Sequence, residues 1–472
     1  MRPTSRSFKA NARGALLDPG LQKALARAKD GFIGRRRDAV AALPEFESLR
    51  ATARDIKQHT LEHLDTYLLR FEAAVQAAGG QVHWARDAGE ANRIVVDICR
   101  RAGAEHIIKG KSMVGEEIAV NPALEREGFD VVETDLGEYI IQLAKEPPSH
   151  IIAPAVHKSR SDVAALFSEH HGAGSESASS DEPEVLLNEA RRVLRDRFMA
   201  GDAGITGANF LVAETGSIVL VTNEGNGDLS STLPRTHIVL AGIEKVVPTL
   251  EDATTILRVL ARSATGQTLT SYTTFVTGAR RAADPDGPQA FHVVLVDGGR
   301  SDMLAGEFRD MLRCIRCGAC LNHCPVYGAV GGHAYGWVYP GPMGSVLTPL
   351  MVGLGEAQAL PNASSLCGRC ESVCPMMIPL PRMLRALRER ANREHHVSWI
   401  QRSALRAWGA IAHRPALYRV FASAGARAIA ALGRRGGRLP GSGPWTDYRA
   451  LPRPEGRTFM AEARTRLGNR LR

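Results

Sequence analysis

Seven of the eight cysteines in this 472-residue chain lie between residues 302 and 390, in two short runs. The first reads Cys314-x2-Cys317-x2-Cys320-x3-Cys324-Pro325, and the second Cys367-x2-Cys370-x3-Cys374-Pro375. The first spacing is the one that holds cubane iron–sulfur clusters in ferredoxin-type loops. Three thiolates on a tight loop face three corners of a cube, while the fourth, set back and followed by proline, points to another cluster. A structural zinc site would use two C-x2-C pairs, and the Cys-Pro endings argue against it. In a reducing compartment, clustered cysteines indicate metal and not disulfides.

The second run matches the last three cysteines of the first pattern, and Ser364 occupies the position of the missing one. By the cross-over rule, Cys314, Cys317, Cys320 and Cys374 form the first site, and Cys324, Cys367 and Cys370 the second. The expected cofactors are two [4Fe-4S] clusters, with three readings open for the second. It is a four-iron cluster whose last iron takes water or an oxygen from Ser364 or Ser365; or a [3Fe-4S] cluster; or a cluster whose open iron binds substrate as a Lewis acid. We read the open corner as a redox feature. Residues 330–337 (VGGHAYGW) read as a tight loop covering the clusters, with His333 a candidate hydrogen-bond donor to sulfur. His323 reads as an exposed spacer, and Cys99 as a thiol packed among Ile94, Val95 and Ile98.

The elements that must position these loops follow from periodicity. Residues 13–78 read as mostly helical, with Leu61, Leu64, Leu68, Phe71 and Val75 at helical spacing and Gly79-Gly80 ending the run. Strands are expected at 81–85, 106–109, 130–133 and 150–153, with helices at 88–102, 114–126 and 139–143. This alternation predicts an α/β domain with a largely parallel sheet. Residues 172–183 read as an exposed loop and 184–198 as a helix. Further strands are expected at 205–209, 210–212, 218–222, 237–240, 269–276 and 291–296. The expected divisions are a helical segment (1–78), an α/β domain (79–301), a mainly helical two-cluster segment (302–397) and a basic tail (398–472).

Hydrophobic content of 44% and charged content of 23% are globular values. From 398 onward there are fifteen arginines, no lysine and three acids, a balance of +12 against +9 for the whole chain, so the basic character belongs to the tail. There Trp399, Leu405, Trp408, Ile411 and Leu417 interleave with Arg402, Arg406 and Arg414. That pattern suits an interfacial helix at a membrane surface, or a helix packed on the body or on a partner subunit. The basic residues match no nucleic-acid-binding fold. No apolar run is long enough to span a bilayer, the N-terminus has no secretory h-region, and Arg35-Arg36-Arg37 precedes an acid instead of an apolar segment. A cytoplasmic protein is expected.

Three further segments are candidates for binding or chemistry. Glu214, in an Ala-Glu-Thr-Gly-Ser turn between apolar strands, is a candidate strand-end acid, base or nucleophile, or an ordinary turn residue. Residues 223–227 (NEGNG) form a loop that could close over a small anion, and 109–112 (KGKS) precede a helix start. No GxGxxG or GxxxxGK[ST] fingerprint is present, so no organic redox cofactor is expected.

Taken together, CIRCGACLNHCPVYGAVGGHAYG and SSLCGRCESVCPMMIPLP resemble the lactate utilization protein B family, as do KSMVGEEI (111–118), VVETDLGEYIIQL (131–143), ANFLVAETGSIVLVTNEGNG (208–227), LPRTHIVLAGIEKVVPTLEDA (233–253) and GPWTDYRALPRP (443–454). The resemblance implies a sugar-isomerase/CoA-transferase-like lactate-utilization domain joined to a two-cluster ferredoxin-like segment, with seven cysteines as the family's habit. It also implies electron transfer in L-lactate oxidation to pyruvate beside sister proteins A and C. Clusters move one electron at a time and lactate loses two, so a two-electron site must lie elsewhere or be shared. Two alternatives are a hydroxy-acid-converting subunit, acting through the α/β domain or an open iron, and a scaffold whose clusters serve structure.

Overall fold

The Val- and Ile-rich runs form ten strands in the computed structural model, which describes residues 3–172, 175–432 and 455–470. They are β1 (Gln81–Ala85), β2 (His106–Lys109), β3 (Asp130–Glu133), β4 (Ala203–Gly207), β5 (Phe210–Val212), β6 (Ser217–Thr222), β7 (Thr236–Gly242), β8 (Val246–Val247), β9 (Tyr272–Val276) and β10 (Ala290–Val296). Six of them make one parallel sheet in the order β1-β10-β7-β4-β2-β3. Every residue of the central β7 is buried, as expected for a parallel sheet covered on both faces. Helices Ala88–Arg101, Met113–Ile118 and Val120–Arg126 close one face through Val95, Ile98, Val114, Ile118 and Leu124 against Ile107, Ile205, Ile238 and Val294. The opposite core joins the helix Leu64–Ala77 to a smaller sheet, β8-β5-β6-β9, through Phe71, Val75, Leu211, Ile218, Val239 and Phe291.

Two expected helices are broken. The run read as 114–126 is two short helices separated by Ala119, whose φ of 56° interrupts the hydrogen-bond ladder. The helical run read through Leu61, Leu64, Leu68, Phe71 and Val75 is two helices, Phe46–Glu62 and Leu64–Ala77, divided at His63. The strand expected at 150–153 does not form. There the His150 ring takes the amides of Ile152 and Ala153 on Nδ1, at 3.0 and 3.1 Å, so those donors are satisfied within a turn and not by a ladder. In the loop expected to be exposed at 172–183, residues 173–174 lie outside the described residues, and Ser177 is buried with its amide on Glu189.

The N-terminal helices lie against the cysteine segment. Ser5 donates to Tyr335 O, Gln22 to Ala329 O, Arg36 to Val373 O and Arg50 to Cys374 O. The chain up to Ala391 forms one compact unit and Asn392 onward a second. The second unit contains helices Trp399–Ala412, Pro415–Leu432 and Phe459–Arg470; the 443–454 segment lies outside the described residues. Among the described residues no helix is long and apolar enough to cross a membrane.

The helix Asn226–Thr232 crosses β4 so closely that a Cβ on Gly204 would sit 1.8 Å from Ser230 O. Gly204→Ala is expected to cost about 1–3 kcal/mol or more in denaturant unfolding. Gly34→Ala, in a helix with nothing within 4 Å of the new methyl, should be neutral or slightly stabilising. His237 lies inside the sheet with Nε2 on Thr206 Oγ1, and burial lowers its pKa to about 3 from 6.5. Below 6.5 the unfolded chain binds the proton first. Stability should therefore be full above pH 6.5 and drain by a few kcal/mol as pH falls toward 3, at about 1.4 kcal/mol per unit. His237→Gln should flatten part of that slope in urea titrations at stepped pH.

Candidate metal centre and the adjoining cavity

Ser364, Cys367, Cys370 and Cys374 stand fifty residues after Cys314, Cys317, Cys320 and Cys324, and the backbone repeats with them. Arg316 and Leu366, at equivalent places, both take left-handed φ values of 60° and 56°, uncommon for residues with a side chain. Gly318 and Gly368 follow at 74° and 81°, then the single-turn helices Ala319–Asn322 and Arg369–Ser372. This winding aims amides at sulfur: Ala319 N–H donates to Cys317 and Arg369 N–H to Cys367. Val326 and Tyr327 donate likewise to Cys324, and Met376 and Ile378 to Cys374.

The loops converge. Cys314, Cys317, Cys320 and Cys374 line one small apolar cavity with Ile151, Met311 and Met343. Cys324, Cys367 and Cys370 form a second group whose sulfurs interact electrostatically, and Cys320 feels Cys370 across the two. Burial, then neighbouring sulfur, pushes Cys317, Cys320 and Cys324 upward, with Cys370 at about 12 and Cys374 at about 11. Only Cys367 is exposed; the Arg369 amide and then the Ser365 hydroxyl hold it below the usual thiol value. Thiolates at the buried positions therefore need compensating cationic metal, whose binding releases the protons.

The surroundings fit such a group. Arg36 Nε, Arg313 Nε and the Tyr335 hydroxyl are buried donors with no partner among the described residues. Each faces cysteine charge: Arg36 that of Cys317, Arg313 that of Cys374, and Tyr335 that of Cys324 and Cys320. Orphaned donors around gathered thiols are what a sulfur-rich acceptor would satisfy.

Of the remaining candidates, Ser364 is half-buried, its Oγ accepting Leu366 N–H at 3.1 Å. His333 lies away at the surface, donating to Pro147 O at 2.8 Å and packed on His157. His323 is half-buried, not exposed, because its Nδ1 turns inward to Ala319 O. Cys99 is fully buried and raised to about 12 by desolvation. Glu214 is exposed and accepts Leu250 N–H at the start of the helix Leu250–Ala264; it does not line the cavity described next.

A cavity of about 260 Å³ opens at the C-terminal end of the parallel sheet, lined by Lys111, Thr206, Asn223, Glu224, Glu244, Lys245 and Arg316. Both loops singled out at 109–112 and 223–227 reach it, but Lys109 turns away into Glu133 and Glu116 at 2.6 and 3.0 Å. Arg316 and Ile151 border this cavity and the four-cysteine cavity alike. Glu244 anchors the wall, paired with Arg300 at 2.6 Å and Arg316 at 3.5 Å; burial opposes its charge, but these cations hold it down to about 2. Burial, aided by Arg316 and opposed by Glu244, lowers Lys245 to about 8. Nothing in the sequence singles out Arg50, Arg313 or Lys245; Tyr335 lies in the loop expected to cover the clusters, and Arg36 in an arginine run read for another purpose. Arg316 lies inside the first cysteine run.

Comparison with known proteins gives three consistent matches along the chain: the LUD domain over residues 68–296, the 4Fe-4S dicluster domain over 310–378, and the lactate utilisation protein B C-terminal family over 369–467. The chain is 44% identical over 460 residues to lactate utilization protein B of Shouchella clausii, covering 96% of this chain and 95% of that one. It is 42% identical over 464 residues to lactate utilization protein B of Lysinibacillus sphaericus, covering 97% of each. It is 41% identical over 465 residues to the uncharacterized electron transport protein YkgF of Escherichia coli, covering 98% and 97%.

Arg50 donates from Nε to Cys374 O and from Nη2 to Glu371 O, tying a helix of the N-terminal segment to the second cysteine loop. Arg50→Ala is expected to strip two carbonyls of a charged donor, cost about 2–4 kcal/mol, and raise hydrogen exchange across 371–378. Exposed Arg37→Ala should do neither.

Proposed function

The chain belongs to the lactate utilization protein B family, and from that premise we propose that it is an iron–sulfur electron carrier in the oxidation of L-lactate to pyruvate. It works beside sister subunits, the lactate utilization proteins A and C, and passes electrons to a further acceptor. The observation that carries this reading is the adjacency of a four-thiol group lining a small apolar cavity and a three-thiol group that reaches the surface at Cys367.

Cys314, Cys317, Cys320 and Cys374 are assigned to one [4Fe-4S] cluster. Cys324, Cys367 and Cys370 are assigned to a second, with Ser364 the protein oxygen in register for a fourth ligand and [3Fe-4S] the alternative. When bound, such clusters supply one-electron transfer at a potential set by charge, hydrogen bonds to sulfur and solvent exposure. The chain's own residues set those conditions. Arg36, Arg313 and Tyr335 hold unpartnered donors beside the cysteine charge, where hydrogen bonds to sulfur would favour the reduced, more negative state. The N-terminal helices keep water from the first group through Arg36 and Arg50. The face around Leu366, Cys367 and Arg369 is exposed, and is where a partner's redox centre can approach.

The domain divisions near 78, 301 and 397 are retained as divisions of role: clamp, α/β body, redox segment and tail. We place the protein in the cytoplasm. The tail is assigned to docking on a sister subunit or a membrane surface, because Trp399, Ile400, Trp408, Val420 and Phe421 are all more than half exposed on its helices.

Anaerobically purified protein should be brown and hold about seven or eight irons per chain. Colourless protein, or zinc at these sulfurs, would sink the reading. Ser364→Cys should abolish any three-iron paramagnetic signal. Lactate should bleach the cluster absorbance only when the sister proteins are added, and Cys317→Ala should prevent it. Tyr335→Phe should leave the iron content intact and move one reduction potential to a more negative value; an unmoved potential would remove the tyrosine from the account.

A further inference from the structure

Cations crowd around Glu244. Two carboxylates, Glu244 and Glu117, and the Cys314 sulfur face four of them: Arg300, Arg316, Lys57 and Lys245. Arg300 is taken up by both carboxylates, bidentate on Glu117 at 2.9 and 2.8 Å. Lys57 is spent on the carbonyls of Glu244 and Val246. Arg316 has one long contact with Glu244 and lies 4.8 Å over the Tyr339 ring. Lys245 is 8% exposed, lines the cavity, and has no hydrogen bond or ion pair among the described residues. Glu244 and the Cys314 sulfur offset part of its charge at a distance, but no acceptor hydrogen-bonds the ammonium, and an anion in the cavity supplies one. The acids at the other end, Glu224 and Asp135, repel each other and face Lys111, so they do not compensate Lys245.

We propose that this cavity is a binding site for a small organic carboxylate of the 2-hydroxy or 2-oxo acid class, its carboxylate held between Lys245 and Arg316. The choice of acid rests on the lactate reading above; the placement of an unbonded ammonium beside Arg316 on the cavity wall does not. The volume of about 260 Å³ lies below the roughly 300–1,000 Å³ of sites for larger ligands, which favours a few-carbon acid with ordered water. Asn209 lines the same space, its Oδ1 held by Val221 N–H and its amide nitrogen left to meet the 2-oxygen, while Asn223 is turned to Gln267 and Ser271 and the Thr206 hydroxyl to His237. Because Arg316 stands between Cys314 and Cys317, the bound acid lies one side chain from the first cysteine group.

The test is calorimetric titration of the full-length, iron-loaded protein with L-lactate, pyruvate, acetate and inorganic phosphate, repeated on Lys245→Gln. L-Lactate or pyruvate is expected to bind, acetate more weakly, and phosphate weakest. Lys245→Gln should weaken binding roughly tenfold or more, while Lys245→Arg restores part of it. Removing an unpaired buried cation should leave the thermal midpoint of the ligand-free protein unchanged or higher, and should abolish the ligand-induced rise. Lys158→Gln, off the cavity, should change nothing. Binding that survives in Lys245→Gln, phosphate binding as tightly as the acids, or no binding to iron-replete protein would each overturn the inference. Protein that comes out of anaerobic purification without iron and still binds pyruvate would instead overturn the electron-transfer reading and leave this one standing.

Discussion

Sulfur donors from two loops fifty residues apart must meet in a space from which water is excluded. Burial alone drives those thiols toward their neutral form, and their mutual repulsion adds to it. The protein answers with backbone amides directed at sulfur, and with the charge of the buried arginines Arg36 and Arg313 and the unpartnered Tyr335 hydroxyl close by. Much of the remaining architecture serves that meeting. The first helices of the chain hold the carbonyls of Val373 and Cys374, at the end of the second loop. The turn at His150 holds the first loop through Asn322 at 2.9 Å.

The two cysteine loops are nearly the same structure used twice with opposite exposure. Left-handed Arg316 in the first sends a charged side chain toward the sheet's cavity, where Glu244 and Tyr339 receive it. Left-handed Leu366 in the second stands at the surface beside exposed Cys367. One loop thus looks into the α/β body and the other toward whatever approaches from outside. The serine at the place of the missing cysteine belongs to the outward copy. An electron carrier needs this polarity, with a protected end near the source and an accessible end near the partner.

Glu244 links the halves. It follows the end of β7 and takes Arg300 from beyond β10 and Arg316 from the cysteine loop. Gly242 makes room for it, since a Cβ there would lie 2.1 Å from Glu244 Oε2. One carboxylate therefore fixes the sheet, the cavity wall and the first cysteine loop in a common geometry. An occupant of the cavity would touch the same network.

Local rules legible in the residues account for the metal donors and the sheet. Cysteine spacing is a property of short loops, and the alternation around 81–133 is a property of strands buried on both faces. Both need only neighbours in sequence, so β1, β2 and β3 appear where periodicity puts them. The strand expected at 150–153 failed because a histidine ring offered its backbone another partner, and the helix expected at 114–126 broke at a left-handed alanine. The sequence by itself determined which residues carry sulfur and which segments make the parallel sheet. Only the tertiary structure decided that Arg36 and Arg50 close over the cysteines, that Glu214 caps a helix, and that Lys245 stands unpaired beside Arg316. Those are contacts between groups dozens to hundreds of residues apart, and burial and charge pairing over such separations leave no period or spacing to read.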